Sequence, residues 1–177
     1  MQSPLATSTT INLVALCALI GCASAAAGCA TAPARATRVD PAVQLQALNG
    51  STSTFPAAGR GKVVVLDLWA SWCQACRIEL PKLQRLANSS AGDDLMVVAI
   101  NVGEDRKTAQ AYAAELKLSL PIYVDPSFRF ARSVGARQFP SVIVLDRHGS
   151  IVLRARKLDA AVLRAIRKRM GRSEAAH

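Results

Sequence analysis

Residues 62–69 (KVVVLDLW) are apolar after the first position except at Asp67, the pattern of a strand buried on both faces of a sheet. After Cys73, residues Ile78, Leu80, Leu83, Leu86 and Ala87 recur at helical spacing and predict a helix, kinked near its middle by Pro81. The run Leu95–Val102 predicts a second strand. Residues 105–118 predict a helix with Ala109, Tyr112, Ala113 and Leu116 as its apolar stripe. A short strand at Ile122–Val124 and a short helix at Ser127–Val134 follow. Segments Ser141–Leu145 and Ile151–Arg154 predict two strands joined by a hairpin turn at Gly149. The last helix runs from Leu158 to Met170, with Leu158, Val162, Ile166 and Met170 on one face. Ahead of all this, Ala42–Leu48 with Asn49-Gly50 predicts an added edge strand and its turn. Alternating strands and helices, closed by an antiparallel hairpin and a helix, predict an α/β mixed sheet covered by helices on both faces.

The 177 residues suit one domain. With 51% hydrophobic and 19% charged residues, the chain is neither intrinsically disordered nor a polytopic membrane protein. Its charge is uneven. None of the first 34 residues is charged, so the net +10 belongs entirely to the remainder. Residues 11–27 (INLVALCALIGCASAAA) form an apolar stretch that ends in small residues, an export-type pattern and short for a bilayer span. The preceding ten residues lack the Lys or Arg of an ordinary signal. Within the stretch, Leu19-Ile20-Gly21-Cys22 resembles a bacterial lipobox, which makes Cys22 the expected lipid anchor, with Cys29 as the alternative. A plain secretory signal cut near Ala27 and an uncleaved anchor are the other readings; all of them put the rest of the chain outside the cytoplasm. The expected division is a signal or lipoprotein anchor over 1–30, a flexible tether over 31–40, a folded domain over 41–172 and a tail over 173–177.

Two cysteines separated by Gln74 and Ala75, where a buried strand gives way to a helix, are arranged for dithiol-disulfide chemistry. The helix N-terminus stabilises a thiolate on Cys73, the expected attacker; Cys76, one turn deeper, is the expected resolver. A lone CxxC is also half of a zinc site. No second CxxC or HxxxH follows, and His148 and His177 lie far along the chain, so redox chemistry is the favoured reading. Asp67, a carboxylate inside an apolar strand, should have a pKa raised toward neutrality and be able to exchange a proton with the deeper sulfur. Its alternative is a hydrogen-bonded structural acid. Trp72 is expected to shield the disulfide and Trp69 to pack in the core.

The set Gly61-Lys62-Val63-Val64, Leu68 to Arg77 (LWASWCQACR), Glu79-Leu80-Pro81, Asp125, Phe139-Pro140-Ser141 and Asp146 to Gly149 (DRHG) resembles the thioredoxin superfamily, specifically its TlpA/ResA-like branch of membrane-anchored, extracytoplasmic thiol-disulfide oxidoreductases. The 63 residues between Cys76 and Pro140 exceed a plain thioredoxin by about one βα unit, the central insertion of this branch. The resemblance implies a thioredoxin-like fold with that insertion and no cofactor beyond a redox-active Cys73–Cys76 disulfide, without metal. It also implies a cis Pro140 facing the dithiol, with Phe139 contacting the substrate backbone. Asp67 matches the buried aspartate of thioredoxins, where TlpA-like proteins more often carry Asn. Glu79 matches a glutamate that the branch uses near the dithiol; its alternative is a helix-surface charge. The chain departs from the pattern at Gln74-Ala75, which lacks a proline before the second cysteine, and at Phe139, bulkier than the residue usual there.

The implied activity is reduction of disulfides in exported proteins, apocytochrome c among the clients, with electrons from a membrane thiol-reductase partner. Disulfide oxidation and copper handling by the two cysteines are the alternatives. From Asp146 to His177 there are nine basic residues against three acidic ones, several on the last helix. A solvated helix face is the plain explanation and a membrane-surface contact the other. Few aromatics accompany these charges, so nucleic acid is not an expected partner. The domain is expected to be a monomer.

Overall fold

A computed structural model of the protein describes residues 38–40, 42–54, 59–90 and 94–171. The chain divides into Met1–Pro33 and Ala34–His177; only the second unit contains described residues. Cys22, Cys29, the export-type stretch, most of the tether and the tail lie outside them. No helix among the described residues is long and apolar enough to cross a membrane.

The elements run β1 (Gln44–Ala47), β2 (Thr52–Thr54), β3 (Val63–Trp69), α1 (Gln74–Ser89), β4 (Leu95–Val102), α2 (Arg106–Glu115), β5 (Ile122–Asp125), α3 (Arg129–Ser133), β6 (Ser141–Leu145), β7 (Ile151–Ala155) and α4 (Ala160–Met170). The seven strands form one sheet in the order β2-β1-β5-β4-β3-β6-β7. β3, β4 and β5 are parallel, and β1, β6 and β7 join antiparallel. With β4 on one side and β6 on the other, β3 has all seven residues buried. This explains its lack of alternation: a central strand has no solvent face to mark with polar residues.

Alternation sends Val63, Val65 and Trp69 to one face and Val64, Leu66 and Leu68 to the other. The first face is covered by α1, α2 and α4 through Leu80, Leu83, Ala109, Ala113, Val162 and Ile166, and it also holds both cysteines. The second carries α3, through Phe130, Ala131 and Val134, with Val39 and Val43 from the N-terminal segment. Helices therefore lie on both faces, three against one.

The structure departs from the sequence pattern at four places. Thr52–Thr54 forms an unforeseen strand beyond the Asn49-Gly50 turn, so β1 lies inside the sheet, between β2 and β5. Three small polar residues carry no hydrophobic pattern, which is how a short edge strand escapes notice. Arg38 and Val39, placed by composition in the tether, join the fold: Arg38 bridges Ser150 and Val39 is buried. Ile78 faces solvent at 64% exposure, because the buried face of α1 is set by Cys76, Glu79, Leu80 and Leu83, and residue 78 is about 200° round from residue 80. Helices α2, α3 and α4 are each shorter than their apolar stripes suggest; Asp105 and Asp159 cap α2 and α4 by accepting the Thr108 and Val162 amides.

The loop after β4 fixes the approach to the dithiol, and Gly103 makes it possible. Its φ is +80°, and a Cβ there would sit 2.4 Å from Cζ of Phe128. Gly103→Ala should therefore destabilise the domain by about 2–4 kcal/mol, combining left-handed strain with overpacking. Denaturant unfolding checks this, and pairing the change with Phe128→Ala should recover part of the loss.

Candidate active site

The end of β3 feeds a tight turn whose last residue, Cys73, is the N-cap of α1. Its Sγ accepts the Cys76 amide at 3.2 Å, and the two cysteines, with Cα atoms 5.2 Å apart, are joined as a disulfide. Cys76 is fully buried and Cys73 retains a small exposed fraction. This asymmetry leaves Cys73 the more accessible sulfur, and the amides and dipole of the helix end favour negative charge on it once the pair is reduced. Trp72 stands beside the disulfide at 66% exposure, and its ring meets Phe139 edge-on with centroids 6.0 Å apart.

Register explains why Phe139 is there. Ser141 pairs with Leu68 and Val142 with Asp67, so the residues just before β6 overhang the dithiol end of β3. Pro140 is buried, and the Phe139–Pro140 peptide is cis.

Asp67 lies between Val65 and Trp69 on the face that holds the sulfurs, and it is 1% exposed. Among the described residues, neither carboxylate oxygen finds a hydrogen bond of ordinary geometry. Its pKa is raised from 3.8 to about 8, first by burial, then by the nearby charge of Glu79; the Ser141 amide opposes the shift without cancelling it. Trp69 is core, as expected, and stacks on Tyr112 with centroids 5.5 Å apart.

Glu79 is not a helix-surface charge. It is buried, one Oε accepting the Lys82 ammonium at 2.7 Å and the other the Leu158 amide at 2.8 Å. A helical position three residues past Cys76 turns inward here because α4 begins against α1, and the two hydrogen bonds compensate the burial. Glu79 thus fastens α1 to the start of α4 and sets the field at Asp67.

A second acid at this end, Glu104, has no precedent in the sequence reading. One of its oxygens accepts the Ser71 amide at 2.8 Å and the Asn101 side-chain amide at 2.6 Å; the other accepts the Ser71 hydroxyl. The loop after β4 thereby grips the turn that presents Cys73. The available signal was Asn101, a polar residue inside the apolar run LMVVAINV, as anomalous there as Asp67 is in β3. Beyond it, Arg77 lies over the Tyr112 ring and pairs with Glu115 at 2.6 Å, an exposed contact of small energetic weight.

The seven residues expected to act, Cys73, Cys76, Asp67, Glu79, Trp72, Phe139 and Pro140, thus lie at one end of the sheet. Together they offer a disulfide at a helix terminus with one sulfur fully buried, a buried acid with a pKa near neutrality, and an exposed Trp72 against a half-buried Phe139. Among the described residues, no group of three or more His, Cys, Asp or Glu side chains is arranged to hold a metal ion.

A model of the AhpC/TSA family matches residues 38–154. Thiol-disulfide oxidoreductase ResA of Halalkalibacterium halodurans is 30% identical over 92 residues, 52% of this chain and 52% of that protein. Thioredoxin-like protein YneN of Bacillus subtilis is 34% identical over 114 residues, 63% of this chain and 65% of that protein. The matches thus span about half to two thirds of these relatives. Among solved structures, StoA of Bacillus subtilis superposes with a TM-score of 0.62 at 22% identity, covering 73% of this chain and 98% of that one. The thioredoxin domain of a thiol-disulfide oxidoreductase from Bacteroides vulgatus gives 0.64 at 22%, covering 74% and 98%. These superpositions show that the fold is thioredoxin-like.

The raised pKa of Asp67 has a consequence for stability. Between about pH 4 and pH 8 the carboxyl is protonated in the folded chain and ionised in the unfolded one, so stability falls as pH rises through that window. Asp67→Asn should flatten this slope and make the domain more stable than the parent at pH 8 by a few kcal/mol, roughly. Denaturant midpoints at pH 5 and pH 8 decide it: an equal loss in both proteins would mean that Asp67 does not titrate in this range.

Proposed function

The chain belongs to the AhpC/TSA family, and on that premise we propose that it is a thiol-disulfide oxidoreductase that reduces disulfides of exported proteins through Cys73 and Cys76. One observation carries the proposal: a disulfide at the N-cap of α1 has an exposed Trp72 at its rim and a buried acid on the face beneath it. The names of the relatives ResA and YneN point to the same class of chemistry.

The cycle starts from the reduced pair. The Cys73 thiolate attacks one sulfur of a client disulfide; the other client sulfur leaves as a thiolate and takes a proton. Cys76 then loses its proton, attacks Cys73 Sγ and releases the second client thiolate. Two electrons pass to the client and the Cys73–Cys76 bond forms. The proton of Cys76 is the difficult one, because this sulfur is fully buried. Asp67, with a pKa of about 8, is matched to accept it and later return it. Trp72 and Phe139 form the rim against which a client segment lies, and Glu79, held by Lys82 and Leu158, positions α1 and tunes Asp67.

The uncharged N-terminal stretch supports an extracytoplasmic domain tethered by a lipid on Cys22, or alternatively Cys29. In that setting a membrane thiol-reductase partner regenerates the dithiol, and apocytochrome c is a fitting client.

A Cys76→Ser chain should accumulate Cys73-linked mixed disulfides with exported proteins, and Cys73→Ser should accumulate none. Failure to trap a client, together with failure to reduce a model disulfide, would reject the proposal. Asp67→Asn should slow resolution of the mixed disulfide by about a hundredfold while changing the first attack far less. Stopped-flow measurement of the two steps checks this, and equal slowing of both would remove Asp67 from the proton transfer.

A further inference from the structure

The end of the sheet away from the dithiol gathers the entry of the chain and much of its positive charge. β3 runs from this pole to the active site, seven residues or about 20 Å. Arg38, the first described residue, bridges Ser150 and donates to the His148 carbonyl at 2.7 Å, so the chain enters the domain beside the β6–β7 turn. Arg147 draws the neighbouring ends together. Its guanidinium donates to the Gly61 carbonyl at 2.8 Å, to Asp94 at 2.9 Å and to the Met170 carbonyl at 3.4 Å, which brings the last turn of α4 to the same pole.

Among the described residues, the cations there outnumber the carboxylates. Arg38, Arg60, Arg167 and Lys168 are exposed, and Lys62 and Arg169 are half-buried. The nearby acids are engaged: Asp94 with Arg147, Asp146 with the His148 and Ser150 amides, and Asp40 with the Ala42 amide. At the dithiol end, by contrast, Glu104, Asp105 and Asp159 cap or brace the elements. The molecule is therefore polarised along β3, basic where the chain enters and mixed in charge where the disulfide lies.

We propose that this basic pole docks on anionic phospholipid headgroups, holding the domain with its disulfide turned away from the bilayer. The inference rests on the membrane-tethered reading above: a chain anchored through its N-terminal stretch is delivered to the surface by the same end that carries Arg38. Lipid headgroups suit cations spread over one end of a domain, and each Lys or Arg near such a surface strengthens binding by a factor of about five.

The test uses the full chain with vesicles of phosphatidylcholine alone or with added phosphatidylglycerol. Pelleting with phosphatidylcholine vesicles at high salt reports the anchor independently; docking of the pole is read at low salt by amide hydrogen exchange. The proposal expects slower exchange over 147–150 and 164–170 on vesicles containing phosphatidylglycerol only, reversed by salt, with alkylation of reduced Cys73 unhindered. Arg167→Ala with Lys168→Ala should weaken docking by roughly twenty-five-fold without changing disulfide reduction in solution. Equal exchange on both vesicle types, or protection around Trp72 and Phe139, would overturn it, whatever the pelleting shows.

Discussion

β3 spans the centre of the sheet with seven buried residues in succession, and one of them is a carboxylic acid. A buried carboxylate is costly unless it is paired or neutral, and among the described residues neither oxygen of Asp67 finds a well-formed hydrogen bond. It resolves the conflict by holding its proton up to about pH 8. Everything at the dithiol end follows from that constraint. The acid faces the side of the sheet that holds both sulfurs, β6 closes over it from one side, and Glu79 raises its proton affinity further. Only the ionised form of such an acid can take the proton of a buried thiol, and a pKa near the working pH keeps that form within reach without water entering the site.

The rest of the end is scaffolding for that arrangement. Glu79 accepts from Lys82 and Leu158 and so ties α1 to the start of α4, and Glu104 accepts from Ser71 and Asn101 and ties the Cys73 turn to β4. Both use a carboxylate as a multiple acceptor, and in each one donor lies three residues away and another in a segment distant in sequence. Gly103 permits the second tie, since its left-handed backbone and the Phe128 ring against it set the path of the chain into Glu104. Cys73 is thus held from two sides, by its own helix and by the neighbouring loop.

Much of this was legible in the sequence because the informative residues are local anomalies. Asp67 interrupts KVVVLDLW, the cysteines stand at a strand-to-helix junction, and the apolar runs of β3, β4 and β6 mark the sheet core without ambiguity. Other features carried no such mark. Thr52–Thr54 pairs through its backbone at a sheet edge, where side chains are free to be small and polar. Ile78 shared a rough spacing with the apolar stripe of α1 and yet faces solvent, since helical phase and not composition decides burial. The burial of Glu79 and the grip of Glu104 depend on contacts made 79 and 33 residues away along the chain, and no pattern within a single element encodes them.

The claim on which the chemistry stands is the protonation of one side chain, and it can be watched directly by following the carboxyl carbon of Asp67 in isotopically labelled protein through a pH titration. In the oxidised chain a single midpoint near pH 8 is expected; on reduction the signal should split into two linked steps as the acid and the Cys76 thiol share a proton. A midpoint in the ordinary carboxylate range, unchanged by reduction, would contradict the proton-transfer role and leave Asp67 a structural acid.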